Sequence, residues 1–222
     1  MGKKELSGRP VWQDASGAKA GVAETNFYEV FSREFLGSDF RIRSKPRELS
    51  NIYRDIELSR DVLAQIYHPG VDYTHGVIPD YAIDNTRTHK TLYVEVKRQD
   101  GWVEGKPMSA GRGNAHERSC KFFTPGLLKI LREHARLGAD ALPFWVVFQG
   151  DIARDPKRVR EITCWYAGYP AHFFFWRNTR DGTPLVEHFN RYLKHLLRTR
   201  QRASHAPHAR RLRLARIAHI LG

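Results

Sequence analysis

The sequence predicts a single α/β domain, and three observations lead to this prediction. Two short apolar runs within residues 77–97 are typical of an antiparallel hairpin, a continuous apolar run lies at 144–148, and segments with helical spacing precede, separate and follow these runs. A chain of 222 residues can bury one sizeable core, which favours one domain over two. We therefore expect a domain over 25–200, a polar arm at 1–24 and an arginine-rich extension at 201–222.

Four segments carry apolar side chains at the spacing of one helix face. In the first, aromatic residues recur from Phe27 to Phe35 and Gly37 provides a stop. In the second, Pro46 is a favourable start and His68-Pro69-Gly70 ends the helix. Helices are predicted over 25–37, 46–67, 125–138 and 184–199.

Three segments outside the hairpin are predicted to be strands. Residues 144–148 are all apolar, as expected for a central strand that is buried on both faces. Two further strands are expected over 162–166 and 172–176. The aromatic side chains at 173–176 are more typical of a core or a subunit interface than of a surface on which bases stack.

The hairpin carries the first chemically informative pattern. From Leu92 to Val96 the residues alternate, so the apolar side chains share one face while Glu95 and Lys97 share the other. Asp80 closes the earlier apolar run, and the polar residues at 85–89 are suited to a turn. If the two runs pair antiparallel, Asp80 returns close to Glu95, with a lysine beside both carboxylates.

Two carboxylates and a lysine at a sheet end suit Mg²⁺, which is held by one or two carboxylates together with waters and substrate phosphate. We predict that Asp80 and Glu95 are metal ligands, that Lys97 is the third catalytic group, and that the backbone carbonyl of Val96 is a further ligand. The alternative is a solvated strand face with a weak salt bridge, since Glu-x-Lys is a common spacing. A second such motif, Glu104-Gly105-Lys106, lacks the surrounding alternation.

The second informative pattern lies in the glycine-rich segment 101–120. Arg112 and Asn114 flank Gly113, and these side chains can form paired hydrogen bonds with guanine and adenine respectively. The glycine allows the backbone to approach bases closely. The alternative is a solvated loop in which Asn114 caps a helix.

The net charge of +13 indicates a polyanionic partner. Nucleic acid is the first candidate, and a membrane surface is the weaker one because the aromatic residues are spread along the chain. Beyond Glu187 there is no acidic residue, so the arginine-rich end is either a solvated tail or a phosphate contact. No apolar stretch is long enough to span a bilayer and the start of the chain is polar, so we expect a cytoplasmic protein with no membrane association.

Taken together, these motifs resemble those of a known enzyme family. Pro79-Asp80, then Val94-Glu95-Val96-Lys97, then the run Gly113 to Ser119 are similar to the corresponding motifs of type II restriction endonucleases of the EcoRI/MunI group, within the PD…(D/E)xK nuclease superfamily. The similarity is dense from Leu92 to Pro125 and continues to about Trp176. It covers more than a third of the chain.

The resemblance implies a restriction-endonuclease-like core, a mixed five-stranded sheet flanked by helices. It implies Mg²⁺-dependent cleavage of double-stranded DNA by a homodimer, with Asp80, Glu95 and Lys97 at the catalytic positions. Arg112 would read the outer base pair of the target, and the other residues of the DNA-binding segment are Gly113, Asn114, Ala115, Arg118 and Lys121. The implied target is C^AATTG, cut to leave 5′-phosphate ends with AATT overhangs, and GAATTC is the alternative.

Two other functions are compatible with the residues. The same core could belong to a repair nuclease that recognises DNA structure or damage. It could also belong to a sequence-specific DNA-binding protein without catalysis, although the presence of Asp80, Glu95 and Lys97 argues against lost chemistry.

Overall fold

The structure is a computed structural model, and it describes residues 26–54, 56–67, 74–100 and 116–198. The predicted amino-terminal arm and the predicted basic extension lie outside these ranges. Among the described residues, no helix is long and apolar enough to cross a membrane.

A five-stranded mixed sheet forms the centre of the molecule, as predicted. The strands follow one another across the sheet in sequence order; β1, β2 and β3 are antiparallel, whereas β4 runs parallel to β3 and β5 runs parallel to β4. The strands are β1 Phe40–Ser44, β2 Tyr81–Asn85, β3 Lys90–Arg98, β4 Phe144–Gln149 and β5 Phe173–Trp176.

Helices lie before, between and after the strands. The chain enters the sheet from a first helix, reaches β4 and β5 through two further helices, and ends in a helical segment whose middle turn is a π-helix. The helices are α1 26–34, α2 Arg60–Leu63, α3 Pro125–Ala135, α4 Pro156–Trp165, α5 Thr183–His188 and α6 Lys194–Arg198, with the π-helical turn at Phe189–Leu193 and 3₁₀ turns at Glu117–Phe123, Asp151–Ala153 and Pro170–His172.

An aromatic cluster joins α1 to one face of the sheet. The ring of Trp145 in β4 lies 5.7 Å from that of Phe27 and 5.9 Å from that of Phe31, measured between centroids. Phe31 also contacts Phe189 at 5.4 Å, which ties the carboxyl-terminal helical segment to the same cluster. All four side chains are buried, so the spacing of phenylalanines in the sequence does mark a core-facing helix.

The opposite face of β4 and β5 is covered by the 3₁₀ turn before α3 and by the end of α4. Phe122 packs on Phe144 at 5.1 Å, and Tyr166 packs on Phe173 at 5.0 Å. Every residue of β4 is buried, as predicted for a central strand. β2 is also buried throughout, and β3 is buried from Lys90 to Val96, so among the described strands exposed residues occur only in β1.

The prediction of one long helix over 46–67 is wrong. The backbone amide of Tyr53 donates to the carbonyl of His75, and the carbonyl of Leu49 accepts from the amide of Val77. These bonds to a distant segment replace the hydrogen bonds of a helix, and only α2 is helical, capped by Ser59. The apolar spacing in this segment therefore does not correspond to one face of a continuous helix.

The strand predicted over 162–166 is also wrong, because these residues belong to α4 and the turn that follows it. Asp155 is a strong start signal: its side chain accepts from the amides of Lys157 at 2.9 Å and Arg158 at 3.2 Å, and Pro156 occupies the first helical position. Conversely, β1 was not predicted, although Phe40 and Ile42 alternate with arginines in it.

Candidate active site

The site lies where the β2–β3 hairpin opens. Asp80 immediately precedes β2, and the register that pairs Tyr81 with Val94 brings Asp80 beside Glu95. The turn at the other end fixes this register, since the side chain of Asn85 accepts from the amides of residues 87 and 88. The antiparallel pairing therefore brings the two carboxylates together through strand geometry alone.

Asp80 is buried and held by two hydrogen bonds and one further ion pair. Its Oδ2 accepts from the amide of Val96 at 2.9 Å and lies 3.6 Å from Nζ of Lys97. Its Oδ1 accepts from Nζ of Lys45 at 2.6 Å. Both oxygens have a partner, so the carboxylate has a defined orientation.

Glu95 and Lys97 complete the cluster from the neighbouring positions of β3. The ammonium group of Lys97 donates to Oε2 of Glu95, and both side chains are largely buried. The structure thus brings Asp80, Glu95 and Lys97 into one contact group. Their catalytic and metal-binding roles, and that of the Val96 carbonyl, stay predictions.

The pKa values of the two carboxyl groups shift in opposite directions. Burial raises the pKa of Glu95 to about 7, with Lys97 opposing and Asp80 adding to the rise. Burial also acts on Asp80, but Lys97, a hydrogen bond with Glu95, Lys45 and the Val96 amide outweigh it and lower the pKa of that carboxyl. Burial would depress the pKa of Lys97, but the two carboxylates outweigh it and keep that pKa above its usual value. Asp80 is therefore ionised at neutral pH while Glu95 is close to its titration point.

This donor set fits a hard divalent cation. Within the described ranges, no group of three or more histidine, cysteine, aspartate or glutamate side chains could hold a metal ion. Asp80 and Glu95 form a pair, which matches the one or two carboxylates that Mg²⁺ takes from proteins when waters and phosphate supply its other ligands. A cation between them would also offset the charge of Asp80, which adds to the effect of burial in raising the pKa of Glu95.

The raised pKa of Glu95 predicts a pH-dependent stability in the absence of metal. This pKa is about 7 in the folded protein and 4.5 as the reference value. Between these values the folded state binds more protons than the unfolded state, so the free energy of unfolding falls as the pH rises from 4.5 to 7. We expect urea unfolding in EDTA to show this loss in the wild type and not in Glu95→Gln.

The comparison with Glu95→Gln is needed because His172 acts in the opposite direction. Burial lowers the pKa of His172 to about 4, so its contribution is lost as the pH falls below 6.5. Both proteins share this contribution, and it cancels in their difference. The same pH dependence in both proteins would mean that Glu95 is ionised throughout the range.

A network of charges extends from the site across the same face of the sheet. The buried carboxylate of Asp84 accepts from Arg43 at 2.6 Å and from Thr91 at 2.8 Å. Arg43 also pairs with Glu48 at 2.8 Å, and the hydroxyl group of Tyr93 donates to Glu48. Because these contacts link β1, β2 and β3, they hold the three strands in register beside the contact group of Asp80, Glu95 and Lys97.

Sequence reasoning missed Lys45 and the Asp84 network. Lys45 follows β1, which was not predicted, so nothing in its local sequence placed it beside Asp80. The alternation of arginines with apolar residues at 40–43 was the available signal. A strand there would have directed Arg41 and Arg43 to the polar face of the hairpin.

The predicted DNA-reading segment is only partly described. Arg118 and Lys121 lie exposed on the 3₁₀ turn Glu117–Phe123. His116, at the start of this turn, is fully buried; its ring stacks on Trp165 at 5.4 Å. The turn is therefore anchored against α4. The remaining predicted DNA-binding residues, Arg112, Gly113, Asn114 and Ala115, lie outside the described residues.

Comparison with known proteins finds relatives of one enzyme family. A family model described as Type II restriction enzyme MunI matches residues 1–198. The Type II restriction enzyme MunI of Mycoplasma sp is 55% identical over 201 residues, which are 89% of this chain and 100% of that protein. The crystal structure of MunI restriction endonuclease in complex with cognate DNA matches with a TM-score of 0.72 and 54% identity, over 84% of this chain and 96% of that one.

The match spans residues 1–198, so it includes the hairpin, the predicted DNA-reading segment and every described strand. Neither a repair nuclease nor a binding protein without catalysis is needed to explain the residues. The chain belongs to the MunI family of type II restriction enzymes, which are site-specific deoxyribonucleases.

Proposed function

We propose that the protein binds double-stranded DNA as a homodimer and, with Mg²⁺, cuts both strands at a palindromic AATT-centred site. The proposed target is C^AATTG, and the proposed products carry 5′-phosphate ends with AATT overhangs. The observation that carries the proposal is the contact group of Asp80, Glu95 and Lys97 at the open end of the hairpin. The relative's structure with its cognate DNA supports DNA as the substrate.

The proposed metal ligands are the carboxylates of Asp80 and Glu95 and the carbonyl of Val96. When bound there, Mg²⁺ would polarise the scissile phosphate and lower the pKa of a water molecule. The Val96 amide holds Asp80 in place. Lys97 orients the attacking water for in-line displacement and offsets charge on the phosphate, because its ammonium group lies between the carboxylates and has a raised pKa.

The DNA-binding segment would supply discrimination. We assign the outer base pair to Arg112 and the inner AATT to Asn114, Ala115 and Arg118, with Gly113 permitting close approach. Lys121 is exposed, and we assign it to the DNA backbone. The net charge of +13 supports sequence-independent, salt-sensitive attraction to the duplex.

A palindromic target supports the dimer, because a two-fold axis gives each strand one catalytic cluster and each half-site one reading segment. An enzyme that cuts duplex DNA acts where that DNA lies, which supports the predicted cytoplasmic location. Both statements depend on the proposed substrate.

Cleavage of one sequenced plasmid tests the proposal. We expect discrete fragments with Mg²⁺ and none with EDTA, with ends that map to C^AATTG. Matched oligonucleotide duplexes that differ only in the outer pair, CAATTG against GAATTC, test the assignment to Arg112. Cutting that follows flaps or mismatches and ignores sequence would contradict a restriction enzyme, and preferential cutting of GAATTC would reassign the target.

Arg118→Ala is expected to weaken binding to the cognate duplex by about 1–3 kcal/mol, because a base contact is lost. Binding to a non-cognate duplex should change much less. Lys121→Ala is the matched control, since a lost phosphate contact should weaken both duplexes about equally. Fluorescence anisotropy at one salt concentration measures the affinity of each variant for both duplexes. Equal losses for Arg118→Ala would reassign Arg118 to the backbone.

A further inference from the structure

Lys45 is held beside the catalytic cluster by its backbone. It follows β1 directly and has a left-handed backbone conformation, with φ of 46°. Its amide donates to the carbonyl of Asp80 at 2.9 Å, one step beyond the β1–β2 pair Ser44 and Tyr81. A non-glycine residue rarely adopts positive φ. The main chain at Lys45 is therefore fixed relative to Asp80.

The side chain of Lys45 occupies one oxygen of the proposed metal ligand. Its Nζ lies 2.6 Å from Oδ1 of Asp80, the oxygen that the Val96 amide does not use. A divalent cation that approached this oxygen would meet a positive charge in its place. Ammonium and metal ion therefore compete for Oδ1.

The Lys45 side chain is also the part of the cluster that can leave. Its side chain is 48% exposed, whereas that of Asp80 is 10% exposed and that of Lys97 is 21% exposed. Water therefore reaches the lysine end of this ion pair, and the ammonium group can change partner without crossing the protein interior. A phosphate group placed against the cluster offers the ammonium group a second anion within reach of its flexible stem.

We propose that Lys45 is a removable counter-ion of Asp80 that links metal binding to DNA binding. Without DNA, its ammonium group neutralises Asp80 and disfavours the metal ion. When duplex DNA binds, the ammonium group moves to a backbone phosphate and leaves Oδ1 for the metal. Lys45 is thus a positioning residue, and the proposal rests on the proposed metal site.

Metal binding without DNA provides the first test. We expect Lys45→Met to bind Mn²⁺ about fivefold more tightly than the wild type, because a neighbouring positive charge is removed from a half-exposed site. Lys45→Arg keeps the charge and should bind Mn²⁺ like the wild type. Arg47→Met removes an exposed charge two residues along and controls for long-range attraction. Equal Mn²⁺ affinity in all four proteins would overturn the proposal, as would undetectable binding in all four.

DNA binding provides the second test, and it separates this role from a merely structural one. With Ca²⁺ in place of Mg²⁺ to hold the complex uncut, the slope of log affinity against log salt concentration reports phosphate contacts. We expect Lys45→Met to reduce this slope by about 0.9 per subunit, and Lys45→Arg to retain it. If Lys45 only orients Asp80, the melting temperature of Lys45→Met will fall while its salt slope stays unchanged, and the proposal is then wrong.

Mn²⁺ binding by Asp80→Ala distinguishes failure of the proposed metal site from failure of the role proposed for Lys45. Asp80→Ala should bind Mn²⁺ more weakly than the wild type and more weakly than Lys45→Met. If Asp80→Ala binds Mn²⁺ as the wild type does, Asp80 is no metal ligand and the proposed function loses its metal site. If Asp80→Ala loses Mn²⁺ while Lys45→Met is unchanged, the metal site stands and only the role of Lys45 is overturned.

Discussion

Asp80→Ala is expected to abolish cleavage while preserving, or even strengthening, metal-free binding to the cognate duplex. Cleavage should fall by about 10³-fold or more, since stabilisation of transition-state charge by a metal ion is worth several kcal/mol. Binding should survive because Asp80 is ionised and its removal takes a negative charge away from the phosphate backbone. Single-turnover cleavage with Mg²⁺ and anisotropy in EDTA measure the two effects.

Asp39→Ala is the matched control for this change. Asp39 lies at the other end of the hairpin, where its exposed carboxylate pairs with Arg87 at 3.4 Å. Its removal changes the net charge by the same amount but leaves the catalytic cluster intact, so cleavage should stay near the wild-type rate. Cleavage by Asp80→Ala within tenfold of the wild type would exclude Asp80 from the chemistry.

Lys97→Met is expected to lower the single-turnover rate by about 10²–10⁴-fold, the usual range for a group that positions or moves a proton in the transition state. Mn²⁺ binding should persist, since both carboxylates remain and a competing ammonium group is gone. The stability of the metal-free protein should fall, because Glu95 and Asp80 then face each other without the cation between them.

The control is Lys129→Met, which removes an exposed ammonium group from α3. It should leave the rate and the stability near wild type. A Lys97→Met protein that loses Mn²⁺ binding together with its activity would indicate that Lys97 supports the metal site and does not act on the water. Stability measured with saturating Mg²⁺ should recover, because the metal then separates the two carboxylates.

The hairpin was predictable from the sequence because its information is local. Alternation from Leu92 to Val96 fixes which side chains share a face, and a polar turn at 85–89 brings the two runs together. The run Phe144 to Phe148 was equally clear, since a strand buried on both faces is apolar throughout. These features place Asp80, Glu95 and Lys97 in one contact group.

Other parts of the fold depend on contacts between distant segments. Apolar spacing over 46–67 suggested a helix, but Tyr53 and Leu49 bond to residues 75 and 77 instead. A strand was predicted over 162–166, but Asp155 and Pro156 start a helix that continues to Trp165. Tertiary hydrogen bonds and capping outweighed periodicity in these cases.

Of the residues in the site, Lys45 was the hardest to predict from the sequence. It depends on the register of β1, on a positive φ at a residue other than glycine, and on a partner 35 residues away. None of these is visible as a motif. A residue of this kind becomes apparent only when the strands are placed side by side.

The central position of β3 in the sheet means that the site is ordered before DNA binds. This strand is bonded to β2 on one side and to β4 on the other, so it cannot fray without disrupting the whole sheet. Its acid and its amine are thus already assembled before any encounter with a duplex. The entropy cost of bringing these side chains together is incurred when the chain folds. Each round of DNA cleavage therefore starts from a preorganised site.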